Sequence, residues 1–317
     1  MESSKEQYIR FCKQNDSIPI FMQAWWMDAV CEKGEWNVLL YKESGEIRGV
    51  LVYYTVKKIG SQFILQPPLT QYNGIWLNYK DNQSENNKIH FEKKVIKNLI
   101  QQLDDLKFSY YNQNYNTNFK NWLPLYWSGF KQTTRYSYQI KDISDPEKCY
   151  QNFDYSKQKQ IKKCIDSLHT IEINEDEFYD LLVLNYKEKK QEVLFSRNFF
   201  KRLYKACIEH QQGKIVAVAD KQENIHAALF IVYDNYTSYD LISAIHPDFK
   251  SSGGSTLVVY EAIKQMSKLV KTFDFEGSMD QNIENSFSKF GTEQTAYFNI
   301  SKSNSFLSKI YFDFFHR

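Results

Sequence analysis

One order of apolar periodicities is written twice along this chain. Val95, Ile96, Leu99, Ile100, Leu103 and Leu106 recur at helical spacing and make one apolar face, and Val258, Val259, Ala262, Ile263, Met266 and Leu269 do the same. Each helix runs into a short alternating stretch, Lys107-Phe108-Ser109-Tyr110 in the first case and Thr272-Phe273-Asp274-Phe275 in the second. A polar helical stretch follows each, then a glycine and another strand: Gly129 before residues 132–138, Gly291 before residues 294–298. Upstream, residues 36–40 and 47–56 flank a turn at Ser44-Gly45-Glu46 and read as a hairpin. Residues 214–219 and 225–233 do so around Gln222-Glu223-Asn224.

Such a chain is confined to two copies of one α/β (α+β) unit. A helix that joins two strands of one sheet is a crossover, and it sets those strands parallel. Each unit is therefore expected to be a mixed, mainly antiparallel sheet with a parallel central pair, flanked by helices. The turn formers and proline of residues 142–148 place the join there, giving domains 1–142 and 143–317.

Composition narrows the function classes. Forty basic residues against 38 acidic ones leave a net charge of +2, without the concentrated basic stripe that tracks a DNA backbone. The densest basic patch, Lys157, Lys159, Lys162 and Lys163, reads as the solvated face of a helix. Five cysteines without CxxC spacing and scattered histidines indicate neither a disulfide framework nor a metal site. Apolar runs are too short to span a bilayer and the N-terminus lacks a signal-peptide core, so a cytoplasmic setting is expected by elimination. The tail Phe306, Ile310, Tyr311, Phe312, Phe314 and Phe315 reads as a terminal helix docked on the body.

The two copies differ between hairpin and crossover helix. In the second, His246-Pro247-Asp248-Phe249-Lys250-Ser251-Ser252-Gly253-Gly254-Ser255 leads directly into the helix. Glycines admit close approach of a ligand, and the free N–H groups of a helix start favour anions. Lys250, Ser252, Gly253, Gly254 and Ser255 are thus candidates for a phosphate cradle, although such turns are often only helix caps. The first copy has a longer polar stretch and no paired glycines. In the strand after the second crossover helix, alternation puts Asp274 and Glu276 on one face and Phe273 and Phe275 on the other. Carboxylates at the C-terminal end of a parallel strand stand where open α/β sheets bind ligands, and one can act as a general base. The alternative is that both are solvated or that Asp274 caps the following turn; for Glu276 the two readings balance, and for Asp274 the structural one is preferred.

The Lys250 to Ser255 loop and this order of elements resemble the acyl-CoA N-acyltransferase (GNAT) superfamily, and the tandem arrangement resembles the FemAB-like peptidyltransferases. Longer strings carry the second resemblance: residues 21–30 (Phe-Met-Gln-Ala-Trp-Trp-Met-Asp-Ala-Val), Pro67-Pro68-Leu69-Thr70-Gln71, residues 122–127, and Phe273-Asp274-Phe275-Glu276-Gly277-Ser278-Met279. The resemblance implies transfer of an aminoacyl or acyl group to an amine, from acyl-CoA or aminoacyl-tRNA, with no tightly bound cofactor. The acceptor is a small molecule or a cell-wall precursor. It also implies that Arg202 grips an anionic acceptor; Arg135, Tyr72 and Tyr239 are further acceptor-side candidates. The chain departs from the family in lacking a helical arm for tRNA and in carrying Ser243-Ala244-Ile245 where glycines are common. Two other readings stand beside aminoacyl transfer: an acetyl-CoA-dependent N-acetyltransferase acting on a small amine or amino sugar, and a binding protein with a decayed site.

Overall fold

The computed structural model describes residues 2–58 and 60–305. The aromatic tail lies outside them. Ten helices are described: α1 (Ser4–Gln14), α2 (Ala24–Val30), α3 (Glu85–Asp105), α4 (Leu123–Trp127), α5 (Pro146–Asn152), α6 (Tyr155–Cys164), α7 (Glu175–Glu188), α8 (Arg197–Glu209), α9 (Gly254–Met266) and α10 (Gln281–Phe287). The strands are β1 (Glu35–Glu43), β2 (Glu46–Lys58), β3 (Ser61–Leu65), β4 (Gly74–Leu77), β5 (Tyr110–Asn114), β6 (Lys131–Ile140), β7 (Leu168–Ile171), β8 (Gly213–Asp220), β9 (Ile225–Tyr233), β10 (Thr237–Ile245), β11 (Thr272–Asp274) and β12 (Glu293–Ser303).

Contacts divide the chain into two units. The first holds residues up to Arg135 together with those from Ala296 onward; the second is Tyr136–Thr295. This differs from a join at 142/143, for a physical reason. The second half of β6 pairs with β11, at Asp274↔Gln139, while the C-terminal half of β12 pairs with β5, at Ile300↔Gln113. The turn formers at 142–148 start a helix instead: Asp145 caps α5, with Pro146 in its first turn.

Within the first unit β1 and β2 form the hairpin (Leu39↔Leu51), and β3 adds antiparallel to β2 (Tyr54↔Leu65). The chain then leaves the sheet after Leu65 and rejoins β2 as β4 (Val52↔Gly74). After α3, β5 lies parallel to β3 (Ile64↔Tyr111). The buried face of α3, including Val95, Leu99 and Leu103, packs with Leu51, Ile64 and Tyr111. The strand expected from Lys107 begins at Tyr110, because Lys107 takes a left-handed conformation (φ 52°) at the end of α3.

The second unit repeats the plan. β7, β8, β9 and β10 are antiparallel in turn, α9 crosses over, and β11 lies parallel to β10 (Tyr239↔Asp274). Val258, Ala262, Ile263 and Met266 of α9 are buried with Leu229, Ile231, Phe273 and Phe275. Each unit is thus a mixed sheet with one parallel pair and a crossover helix. No described helix is long and apolar enough to cross a membrane.

Candidate active site

The chemistry-bearing side chains of the second unit converge at the C-terminal end of β11. This strand is three residues long, held between β10 on one side and β6 on the other. Phe273 is buried with α9 residues, which turns Asp274 to the opposite face. Asp274 is fully buried. Its Oδ1 accepts from the Ser137 hydroxyl and from the Glu276 backbone N–H (2.7 Å), and Oδ2 accepts from Gln139 Nε2 (2.6 Å). These three donors belong to its own unit. Burying a carboxylate is tolerable only with such partners. Asp274 thus ties β11 and the turn after it to β6.

Strand alternation does not carry on to Glu276. Glu276 (φ 59°) and Gly277 (φ 67°) are successive left-handed residues, so the chain turns sharply after β11. A Cβ at Gly277 would sit 2.1 Å from the Tyr136 carbonyl oxygen and 2.6 Å from Ser137 Cα, which makes glycine obligatory. The non-glycine residue beside it bears strain of about 1–2 kcal/mol. Glu276 is half-buried with Oε1 shielded from water. Burial, reinforced by the nearby Asp274 and Asp240 carboxyls, raises its pKa well above the ordinary glutamate value.

Alternation along the sequence does not single out Asp240. It lies on β10 where the pairing with β9 slips between Asp240 and Ile242, a bulge of the kind that re-aims side chains beside active sites. Asp240 is buried and accepts from the Ser243 hydroxyl at 2.9 and 3.0 Å. Burial pushes its carboxyl up to about 7, against the opposing pull of that hydrogen bond. An aspartate ahead of the apolar pair Leu241-Ile242 was the available signal. Tyr239, the register partner of Asp274, is buried, and its phenol is raised well above 10 by burial and by Asp234, Asp274 and Glu276. The structure therefore brings Tyr239, Asp274 and Glu276 together, and adds Asp240, Ser137 and Gln139.

The Lys250 to Ser255 loop is shaped differently from an open cradle. Gly253 (φ 90°) caps α9, but a Cβ there would meet Cys164 Sγ and the Gln160 carbonyl oxygen at 3.0 Å, and one at Gly254 would lie 2.8 Å from His226 Cβ. Both glycines are buried, and they make room for α6 and β9. The Gly254 N–H is taken by the Ser252 hydroxyl (3.1 Å), and Thr256 of the same turn bonds Gln160 (2.5 Å). Lys250 pairs with Glu188 at the end of α7. Ser252 and Ser255 are half-buried. Sequence periodicity could not show that α6 lies over this loop.

The other candidates scatter. Arg202 sits on α8, half-buried, its guanidinium 5.3 Å from the Phe199 ring. Arg135 lies on the exposed face of β6, alternating with Lys131 and Thr133. Tyr72 is core in the first unit, edge-on to Phe21 (6.4 Å) and Tyr297 (5.0 Å).

The first unit supplies an internal control. Val232↔Tyr239 and Tyr239↔Asp274 in the second unit correspond to Tyr54↔Leu65 and, one step beyond Ile64↔Tyr111, to Leu65 beside Asn112. By this register Asn112 stands where the second copy has Asp274. Asn112 and Asn299 exchange two hydrogen bonds of 3.1 Å, and Asn299 donates to Asn114 at 2.9 Å. At the place of Asp274 the first copy thus carries a neutral amide bonded to Asn299.

Residues 157–281 match the family model described as an acetyltransferase (GNAT) domain. No curated protein sequence matches the chain. Among solved structures, FemX superposes with a TM-score of 0.73 at 11% identity, covering 99% of each chain. L-PGS from Bacillus licheniformis gives 0.54 at 11% identity, over 96% of this chain and 94% of that one. A tandem GNAT protein from the clavulanic acid biosynthesis pathway gives 0.52 at 8%, over 89% and 88%. The match to an acetyltransferase (GNAT) domain is thus confined to residues 157–281, and the solved likenesses show the repeated fold. The fold is similar to that of FemX over 99% of this chain and to that of a tandem GNAT protein over 89% of it.

Proposed function

We propose that the second unit transfers an aminoacyl group from an activated ester to a primary amine, with Glu276 as the base. The observation that carries this reading is Glu276 itself, held in a strained left-handed conformation beside Asp274 and Asp240 with a raised pKa. Strain of this kind clusters at functional sites, and a raised carboxyl is matched to taking a proton from an ammonium near neutral pH. In the proposed step the ammonium gives a proton to Glu276 and the amine attacks the acyl carbonyl. The tetrahedral intermediate then collapses as Glu276 returns that proton to the departing alcohol, and Glu276 takes the second N–H proton from the former amine and releases it to solvent. The bulge beside Asp240 leaves strand backbone outside the ladder, where an N–H can meet the oxyanion. The acceptor is an amine-bearing small molecule or, in the FemAB-like reading, a cell-wall precursor.

The closed loop argues for the ester donor. Gly253 and Gly254 pack on α6 and β9 and Lys250 pairs with Glu188, which supports a donor that needs no pyrophosphate cradle at this helix start. A second reading, acetyl-CoA as donor, is favoured by the GNAT family match, which spans the same loop. Calorimetry separates them. A non-hydrolysable aminoacyl nucleoside is expected to bind near micromolar and CoA not at millimolar; micromolar CoA binding would replace the first reading by the second. Transfer to an amine, followed by mass gain, is expected to slow by about 10²-fold or more in Glu276→Gln, the contribution of a positioned base.

A further inference from the structure

The first unit holds a cavity of about 210 Å³ that the transferase chemistry of the second unit leaves unused. It opens between β4, which contributes Trp76, and the segment after β5, which contributes Asn116 and Phe119; α3 closes it with Glu92. It is smaller than the ~300–1,000 Å³ of pockets that take drug-sized ligands, so its occupant is a single ring or a fragment of that size.

The polar groups are ordered before any ligand arrives. Glu92 Oε1 accepts from the Tyr79 hydroxyl and Oε2 from Asn121 Nδ2, each at 2.8 Å. A carboxylate accepts about four hydrogen bonds, so two directions remain for donors from a ligand. Asn116 Oδ1 is held by the backbone N–H of Asn118 (2.9 Å), which fixes its amide. Trp76 and Phe119 supply aromatic wall.

These groups exclude anions. Glu92 repels a phosphate, and residues 85–88, the first turn of α3 whose free N–H groups would attract one, are not in the lining. Lys120 is the one basic side chain in the lining. A cavity with aromatic wall, a carboxylate needing donors and side-chain amides able to donate and accept is complementary to a ring with an apolar face and hydroxyls around its edge. We infer that this cavity is a binding site for a neutral monosaccharide unit, free or as part of a larger glycan. The inference stands independently of the aminoacyl-transfer reading.

Titration of the full chain with glucose, galactose and N-acetylglucosamine, followed by saturation-transfer NMR, tests it. At least one sugar is expected to bind at millimolar concentration. Glu92→Gln is expected to weaken binding about tenfold, since a charge-assisted hydrogen bond becomes a neutral one. Tyr79→Phe, at a partly exposed site, is expected to act in the same direction, with melting temperatures showing that both variants fold. Glu276→Gln is expected to leave sugar binding intact. The inference is overturned if no sugar binds, if both first-unit variants bind like the parent, or if inorganic phosphate or CoA competes for the cavity.

Discussion

Replacing Glu276 by glutamine separates catalysis from stability, because the two are predicted to move in opposite directions. The carboxyl is raised well above its unfolded value, first by burial and then by Asp274 and Asp240. An acid whose folded pKa is raised binds more protons folded than unfolded between the two values. Its contribution is therefore most favourable at low pH, and stability is lost as pH rises from the unfolded value near 4.3 toward the folded one. Every tenfold tightening of proton binding in the folded state costs about 1.36 kcal/mol once pH is above that window. Glutamine keeps the shape and removes the charge. The variant is expected to match the parent near pH 4 and to be more stable at pH 8 by at least ~1 kcal/mol, a rise in melting temperature of about 2–4 °C. Turnover is expected to fall by ~10²-fold or more. Calorimetric scans across pH 4–8 with a parallel transfer assay read both. A variant destabilised at pH 8, or one that keeps parental turnover, refutes the assignment of Glu276 as a strained, desolvated base.

Three further outcomes follow from the same geometry. Gly277→Ala must place a Cβ against the Tyr136 carbonyl and hold a left-handed φ, so a loss of ~3 kcal/mol or more is expected in denaturant melts, with activity lost as Glu276 is displaced. Asp240→Asn removes a carboxyl that itself titrates at about 7 and raises Glu276, so the acid limb of the kcat/KM profile is expected to move to lower pH. An unmoved limb would show that Asp240 acts only through packing. Lys157, half-buried 4.2 Å from the Phe290 ring and bonded to Ser286 at 3.1 Å, has its amine pulled down to about 8 by burial. Mass spectrometry after brief acetylation at pH 8 is expected to find it modified faster than the exposed Lys159.

The repeat was legible because it rests on local periodicity: buried faces at Val95 to Leu103 and at Val258 to Met266 are spaced as helices must be, and a crossover helix makes its flanking strands parallel. The ends of elements were not. Asp274 and Glu276 look like strand partners in sequence, yet the contact between Gly277 and Tyr136 that turns the chain depends on a residue far away in sequence. Asp240 owes its placement to a one-residue slip of β10 against β9, which alternation alone places on the wrong step. The glycine pair was visible, but the packing of Gly253 against Gln160 and Cys164 of α6 was not, because those residues are far away in sequence. The C-terminal half of β12 joins the first unit for a similar reason: pairing partners are chosen by sheet edges, which no local pattern records.

Comparing the copies shows what each position costs. In the first unit Asn112, Asn114 and Asn299 bond to one another, so this polar row, half-buried at Asn112 and Asn114, is neutral. At the matching place the second unit gathers Asp240, Asp274 and Glu276, where the carboxyls of Asp274 and Asp240 raise that of Glu276 and gain nothing from proximity. A fold that can build this row from amides does not need acids there for stability, and Glu276 adds a left-handed backbone to the penalty. That cost falls on the copy that matches the acetyltransferase domain, which supports the proposal that Glu276 serves chemistry.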